Sequence, residues 1–437
     1  MPRHARELPR PVLPLLAAGG LVAAVVVGGT LATAGAGAGT GAAAGQAPTV
    51  AGTRTVAPVA PSQDPVPEPE PDVRLSIVAA GDVLPHLPVV RSARTAEGYD
   101  FGPLLAPLAP WVSAADLALC HLEVPVAPTG QAPSGYPVFA APRELAAGLA
   151  DQGWDGCSTA SNHSVDRGFA GVTATLEALD DVGLGHVGTG RSAAEAVQPQ
   201  LYTMQREGRE VTVAHLAATY GTNGMPVDAH RAWSVTLLDA DDVVARAAAA
   251  RAAGADLVLV SLHWGTEYRT DPTDAQRTTA RALAESGVVD LVIGHHAHVP
   301  QPVELLPGGP GGSGMWVAYG LGNLVSNQDE ACCSADTSSG LLLTAEVLAE
   351  GADPAAGTPA GAPRVVGVGW TPVTVDRRGG HRVHALADVP QGTTTLGERQ
   401  VAERLARVRA AAGTAAPERT SPVAPTGPAP VVVSRPR

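Results

Sequence analysis

Three histidines crowd into one short run, GHHAHVPQPVE, at His295, His296 and His298. A His-x-His pair following an extended segment carries both imidazoles on one face. That is chelating geometry for Zn, Mn or Fe. His296 and His298 have this spacing, and His295 is expected to point away from them. His263 opens the run HWGTEY, where Glu267 is a further candidate. Two carboxylates follow apolar runs directly: Asp82 after VAAG and Glu123 inside CHLEVPV. Burying a carboxylate there without a partner is costly, and a cation would satisfy it. Taken alone, Gly81-Asp82 reads equally well as a turn. His121 shares the face of Glu123 in an extended strand; it is either a group behind the ligands or a plain polar strand residue. Asn162-His163, in STASNHSVDRG, pairs an amide able to meet metal charge with an imidazole able to steer a substrate oxyanion. The bland alternative is an Asn turn before a helix that Asp166 and Gly168 would start. Together Asp82, Glu123, Asn162, His263, His296 and His298 make a mixed oxygen and nitrogen donor set. Such a set suits one or two divalent ions of Mn, Fe or Zn, which activate water and clamp the oxygens of a displacement. His163 is the expected catalytic group.

The segments that must position these residues alternate in type. Val73–Ala80, Ala115–Leu122, Gly156–Ser161, Asp256–Leu262, Val288–Gly294 and Met315–Gly320 read as strands, and each runs into a candidate residue. Pro142–Gln152, Gly168–Val182, Ala240–Ala253 and Asp274–Ser286 repeat apolar or Ala positions at helical spacing. Near-continuous apolar strands separated by helices predict an α/β fold whose sheet is covered on both faces. In such sheets ligands bind beyond the carboxyl ends of the strands.

The ends of the 437-residue chain differ from its middle. Arg3, Arg6 and Arg10 precede an apolar run from Val12 to Ala34, so residues 1–43 read as a cleaved signal peptide or a retained membrane anchor. Either one places the rest outside the membrane, secreted or at the cell surface. Residues 44–72 end in PSQDPVPEPEPD and read as a Pro-rich linker. Residues 73–413 form the expected folded domain, and 414–437 an expected disordered tail. The formal charge is −13, and arginine supplies all the positive charge. Nucleic-acid affinity comes largely from Lys and Arg on phosphates, so no nucleic-acid partner is expected. Four cysteines fit an oxidising compartment. Cys120 and Cys157 are either buried thiols or a bridge between neighbouring strand ends. The Gly-x-Ser-x-Gly signature of a serine hydrolase is not evident.

In chain order, AAGDVLPH, HLEVPV, SNHSVDRG, HWGTEY, GHHAHVPQPVE and YGLGNLVSNQ resemble the CapA family of poly-γ-glutamate capsule synthesis proteins, from about Leu75 to Leu348. The resemblance implies a four-layer α/β/β/α sandwich similar to calcineurin-like metallophosphatases. Asp82 matches the family's first-strand Asp, and Glu123 the Glu of its Asn-Leu-Glu. Asn162 and His163 match its Asn-His element, His263 its His-Trp-Gly, His296 and His298 its paired His, and Asn323 its late Gly-Asn. Three departures stand out. The Asn before Leu-Glu is His121 here. Asp82 lacks the Asp-x-His partner of metallophosphatases, with His86 four residues on. Glu123 stands where true phosphatases place a bridging Asp. The resemblance implies an exported metal-dependent, phosphoesterase-like hydrolase in capsule or envelope polymer synthesis. Its partners would be the polymer, poly-γ-glutamate among the candidates, and synthase or export proteins. The alternatives are a non-catalytic assembly or export partner and a γ-glutamyl amide hydrolase.

Overall fold

The computed structural model describes residues 68–437. The expected signal or anchor segment, and nearly all of the expected linker, lie outside the described residues. Among the described residues no helix is long and apolar enough to cross a membrane.

Along the chain, β1 (Val73–Val83), β2 (Leu117–Leu122), β3 (Gly156–Ser158) and β4 (Gly185–Val187) enter one sheet. A second sheet takes β5 (Gln200–Arg206), β6 (Arg209–Thr219), β7 (Leu257–His263), β8 (Leu291–His295), β9 (Val303–Leu306) and β10 (Met315–Ala318). The chain then returns to the first sheet with β11 (Asn323–Val325), β12 (Ser339–Ala349), β13 (Arg364–Asp376) and β14 (Arg382–Ala385). β15 (Val431–Val433) joins the edge of the second. The first sheet runs β14-β13-β12-β1-β2-β3-β4, with β11 also on β1; the second runs β15-β5-β6-β7-β8-β10-β9. β1 to β4 are mutually parallel, as are β6, β7, β8 and β10.

Alternation along each strand sets the layers. Ile77 and Ala79 of β1 pack between the sheets with Val213, Leu257, Leu259, Leu291 and Ile293. Val78 and Ala80 face the opposite way, toward Leu145 and Leu149 of helix Glu144–Ala150 and Leu179 of helix Gly168–Asp181. On the far side of the second sheet, Val258, Val260 and Val292 meet Val243 and Ala247 of helix Ala240–Ala252 and Leu283 of helix Asp274–Ser286. The fold is therefore mixed α/β, with two sheets face to face and helices outside each. Strands β2, β7 and β8 are buried along their whole length, which explains their near-continuous apolar sequence. A slip of one residue would exchange the two cores, and each Leu or Ile moved to water would cost about 1.5–3 kcal/mol.

The expected strands and helices are found with boundaries shifted by a few residues. β1 runs on through Asp82, because β11 pairs Asp82 with Asn323 and Val83 with Val325. Cys120 and Cys157 are register partners on β2 and β3 and form a disulfide; Cys332 and Cys333 form another between adjacent residues.

The expected disordered tail is a correction. Residues 414–437 belong to the same compact unit as the rest of the fold. Trp370 donates its backbone N–H to Pro417 and its indole N–H to Ala416. Thr426 donates to Asp116 through both its backbone N–H and its hydroxyl, and β15 pairs antiparallel with β5. Pro-rich composition argues against a core. It does not prevent an extended segment from satisfying an open sheet edge. Arg435 then enters the interior, where its guanidinium donates to the carbonyls of Glu195 and Thr189 and to His186 Nδ1. Arg435→Ala should cost about 3 kcal/mol, the order found when one partner of a buried charge network is removed. Urea unfolding of the two proteins measures it; a difference below about 0.5 kcal/mol, the level of an ordinary surface change, would mean the tail is not held there.

Candidate metal centre

The parallel strands of both sheets deliver their carboxyl ends to one place. Asp82 ends the apolar part of β1. His121 lies in β2 with Glu123 just past it, and Asn162 and His163 follow β3. From the other sheet come His263 at the end of β7, His295 at the end of β8, and His296 and His298 just beyond. All are buried, His163 being the most open at 7%. His296 and His298 have φ of 86° and 57°, a left-handed backbone uncommon for residues with a Cβ. This turn, rather than strand alternation, aims both rings inward.

Asp82 is shared between two sets of donors. Its Oδ2 accepts from the His296 backbone N–H at 3.2 Å and lies 3.0 Å from His298 Nδ1. Its Oδ1 has no hydrogen bond and lies 3.4 Å from His295 Nδ1. Three groups of ligand atoms lie close enough to hold an ion: Asp82, His121 and His263; Asp82, Glu123 and His298; and Glu267, His296 and His298. Both Glu123 oxygens and His296 Nδ1 are buried without a hydrogen bond. Glu123 Oε1 lies 3.7 Å from His298 Nε2 and 3.9 Å from His263 Nε2. Unpaired buried polar atoms are rare in native proteins. A cluster of them, all oxygen or imidazole nitrogen and belonging to residues of these three groups, fits a divalent cation.

The protonation pattern agrees. Burial pushes the Asp82 carboxyl upward, but the His295 and His298 imidazoles, 3.4 and 3.0 Å away, outweigh it and hold the group well below its ordinary range. Burial drives Glu123 well above its ordinary range, against the pull of His298. His298 is raised to about 9, since Glu123 and Asp82 overcome its burial. Burial, followed by neighbouring imidazoles, lowers His121 and His263, and lowers His296 to about 3. Without a cation, the carboxylates must be balanced by protons on His298 and Glu123. A divalent ion displaces such protons on binding.

A cleft of about 700 Å³ opens beside this centre, lined by His163, Asp166, Asn223, Glu267, Tyr268 and Asn327 among others. His163 Nδ1 is 2.7 Å from Asp166 Oδ2, whose second hydrogen bond is from Phe139 N–H. With Nδ1–H donated to that carboxylate, Nε2 is left with its lone pair. Asn223 points its amide nitrogen at this Nε2 from 3.5 Å, because its oxygen accepts from Asn162 and the Tyr220 hydroxyl.

The structure thus brings Asp82, Glu123, Asn162, His263, His296 and His298 together, with His163 at the cleft wall. Asn162 Oδ1 lies 2.9 Å from His263 Nε2. Glu267 stands at the exposed mouth, near His296 and His298. Asn323 acts by positioning: its Oδ1 lies 3.1 Å from His298 Nδ1, while its amide donates to Gln328 and to the Thr337 carbonyl. His121 faces His263, Nε2 to Nδ1 at 3.0 Å. His295 corrects the expectation that it points away. It is in β8, 1% exposed, and its ring stacks on His121 at 3.9 Å. Sequence reading missed Asp166 as the partner of His163. The spacing His163-x-x-Asp166 carried the signal but was absorbed into a helix start. Asn223 and Tyr220 carried none, since they come from a loop outside every motif, while Tyr268 closes the HWGTEY run without being singled out.

These features define a class: a two-sheet α/β protein with a buried candidate metal centre at the carboxyl ends of its parallel strands. The chain belongs to the bacterial capsule synthesis protein family PGA_cap, whose sequence profile matches residues 76–328. It is 32% identical over 180 residues to the PGA biosynthesis protein CapA of Bacillus subtilis, covering 41% of this chain and 44% of that protein. It is 34% identical over 185 residues to a probable polyglutamine synthesis accessory protein of Mycobacterium tuberculosis, covering 40% and 45%. The chain therefore spans under half the length of these curated relatives. Among solved structures, it is similar to the NAD nucleotidase of Haemophilus influenzae at TM-score 0.40 and 11% identity, over 77% of this chain and 56% of that one. A 5′-nucleotidase precursor from Thermus thermophilus gives 0.39 and 14%, over 76% and 58%.

Dialysis against a chelator should lower the melting temperature, and Mn or Zn should restore it. At a hundredfold excess over Kd, one site adds about 2.7 kcal/mol. Glu123→Ala should abolish most of that increment. A melting temperature indifferent to chelator and to both metals would exclude a resident ion at these residues.

Proposed function

We propose that this chain is an exported, cell-surface metal-dependent hydrolase of phosphoesterase type, acting in the synthesis of a capsule or envelope polymer. One observation carries the reading: buried, unpaired oxygen and nitrogen atoms of Asp82, Glu123 and His296 converge beside a cleft walled by the His163–Asp166 pair. Asp82, Glu123, Asn162, His263, His296 and His298 would hold one or two divalent ions. A bound ion of this kind polarises a substrate oxygen and makes water acidic enough to attack at neutral pH. His163 accepts or returns a proton at Nε2, and Asp166 holds its tautomer through the contact at Nδ1. Asn223 fixes the direction of that nitrogen. Export is supported by the arginine-flanked apolar segment at residues 1–43, and a place in polymer synthesis by the family and the names of its relatives.

The word "PGA" in the name of the Bacillus relative favours a second substrate, the γ-glutamyl amide bond of poly-γ-glutamate. The same residues would serve amide hydrolysis. A third role, as a non-catalytic partner of a polymer synthase or exporter, needs the fold but not the ion.

Elemental analysis of the purified protein, followed by turnover of bis-p-nitrophenyl phosphate, separates these readings. His163→Ala should lower kcat about 10²- to 10⁴-fold, the usual worth of a general acid–base group, with the metal content unchanged. His296→Ala should lower both. Release of glutamate oligomers from poly-γ-glutamate would assign the amide bond instead. Metal-free protein with no turnover of either substrate leaves the non-catalytic role.

A further inference from the structure

A second hollow, of about 430 Å³, adjoins the metal cleft and shares Asn327 with it. Its walls come from the loop after β11, the end of β13 and helix Glu398–Ala412. Four arginines line it: Arg377 and Arg378 from the end of β13, and Arg404 and Arg407 three residues apart on the helix. Residues at that spacing share one helix face. The described lining of the metal cleft contains no arginine and includes Asp166 and Glu267. In a chain of formal charge −13, arginines are thus gathered beside the candidate centre rather than in its cleft.

Four carboxylates line the same hollow, but two are already taken. Asp329 is ion-paired with Arg377. Asp376 accepts from the Gly379 N–H at 2.9 Å and from the Thr393 and Thr395 hydroxyls at 2.8 and 2.5 Å. Glu330 and Glu403 are exposed at the rim. The guanidiniums are less well served. Arg407 meets Asp336 Oδ1 through its Nε at 3.2 Å, which leaves its two Nη groups beyond that pair. Arg404 is half-buried and donates Nη1 to the Thr374 hydroxyl and the Val375 carbonyl. Among the described residues it has no carboxylate partner. Burial, then the charge of Arg407, hold its pKa below the ordinary guanidinium range. Arg404 thus lacks an anion, and Arg407 beside it keeps N–H groups beyond its Asp336 pair; both line an open hollow. The planar fork of a guanidinium suits a carboxylate or a phosphate.

The geometry points to an anion subsite at Arg404 and Arg407, which takes an acidic group of a chain-like substrate while another unit of that chain lies in the metal cleft. The subsite rests on the hydrolase reading only for what happens in the cleft; anion binding stands without it.

Titration calorimetry on the full, metal-loaded protein tests this, with a γ-glutamyl oligomer and a glycerol-phosphate oligomer of equal length as probes. Arg404→Gln and Arg407→Gln should each weaken the favoured oligomer about tenfold, and Arg404→Lys should restore most of the loss. The oligomer that responds tells carboxylate from phosphate. Hydrolysis of bis-p-nitrophenyl phosphate, too small to reach the hollow, should keep its kcat and KM in both variants. If the protein proves inactive, the titrations still read the subsite. Folded variants that bind both oligomers as tightly as the parent would overturn it. Should Arg404→Gln fail to fold, Arg407→Gln decides.

Discussion

Asp82 and Glu123 lie where the two apolar sheets meet, each 0% exposed, and between them they leave three oxygens without a hydrogen bond. Ionised carboxylates in such a place are expensive unless opposite charge is supplied. The imidazoles around them are the local answer. His298 is driven toward its charged form, while burial keeps His121, His263 and His296 neutral and available as donors. The same arrangement that strains an ion-free protein prepares it for a cation. Stability and the candidate chemistry therefore share one set of residues.

Backbone packing holds that set in place. The chain passes from β10 in one sheet to β11 in the other through Tyr319–Gly322, directly beneath the ligands. The Gly322 carbonyl accepts from Asp82 N–H at 2.9 Å, and Leu321 N–H donates to the Gly294 carbonyl at 2.9 Å. A Cβ on Gly81 would collide with the Gly322 carbonyl, and one on Gly294 with the Tyr319 carbonyl. Glycine precedes both Asp82 and His295 because the crossing strand comes too close for any side chain. Tyr319 also accepts the indole N–H of Trp264 at 2.9 Å, so the residue after His263 is fixed by the same crossing. One short segment thus registers ligands from three strands.

Much of this was legible in the sequence. The central parallel strands announce themselves as apolar runs because both of their faces are buried, and their ligands stand out as polar residues at the ends of those runs. Helices such as Asp274–Ser286 carry their own start signal, the capping box of Thr273 and Gln276. Signals failed where structure depends on distant pairing. β11 and β15 are three residues each and exist only because a partner edge is open. The tail reads as linker by composition, and only contacts such as Thr426 on Asp116 reveal that it is docked. His295 was misjudged because alternation was applied across a turn. The positive φ at His296 and His298 breaks that rule, and strand, turn and loop all present their rings to one spot.

His121 and His295 give this centre its asymmetry. The first stands where the family carries Asn, and the second has both ring nitrogens buried without a hydrogen bond. On the Oδ1 side of Asp82 the neighbours are imidazoles: His121 stacks on His295, and its Nε2 meets His263. On the Oδ2 side, Glu123 and His298 supply oxygen and nitrogen. Nitrogen-rich surroundings suit Zn or Fe, while a larger carboxylate share admits Mn. If both groups of donors are used, Asp82 is the only ligand common to them. Its loss would remove the shared charge from both positions, whereas loss of His121 or Glu123 would remove a donor from one. The position of a single carboxylate, set by the close approach of Gly81 to Gly322, therefore governs how the two sheets act as one site.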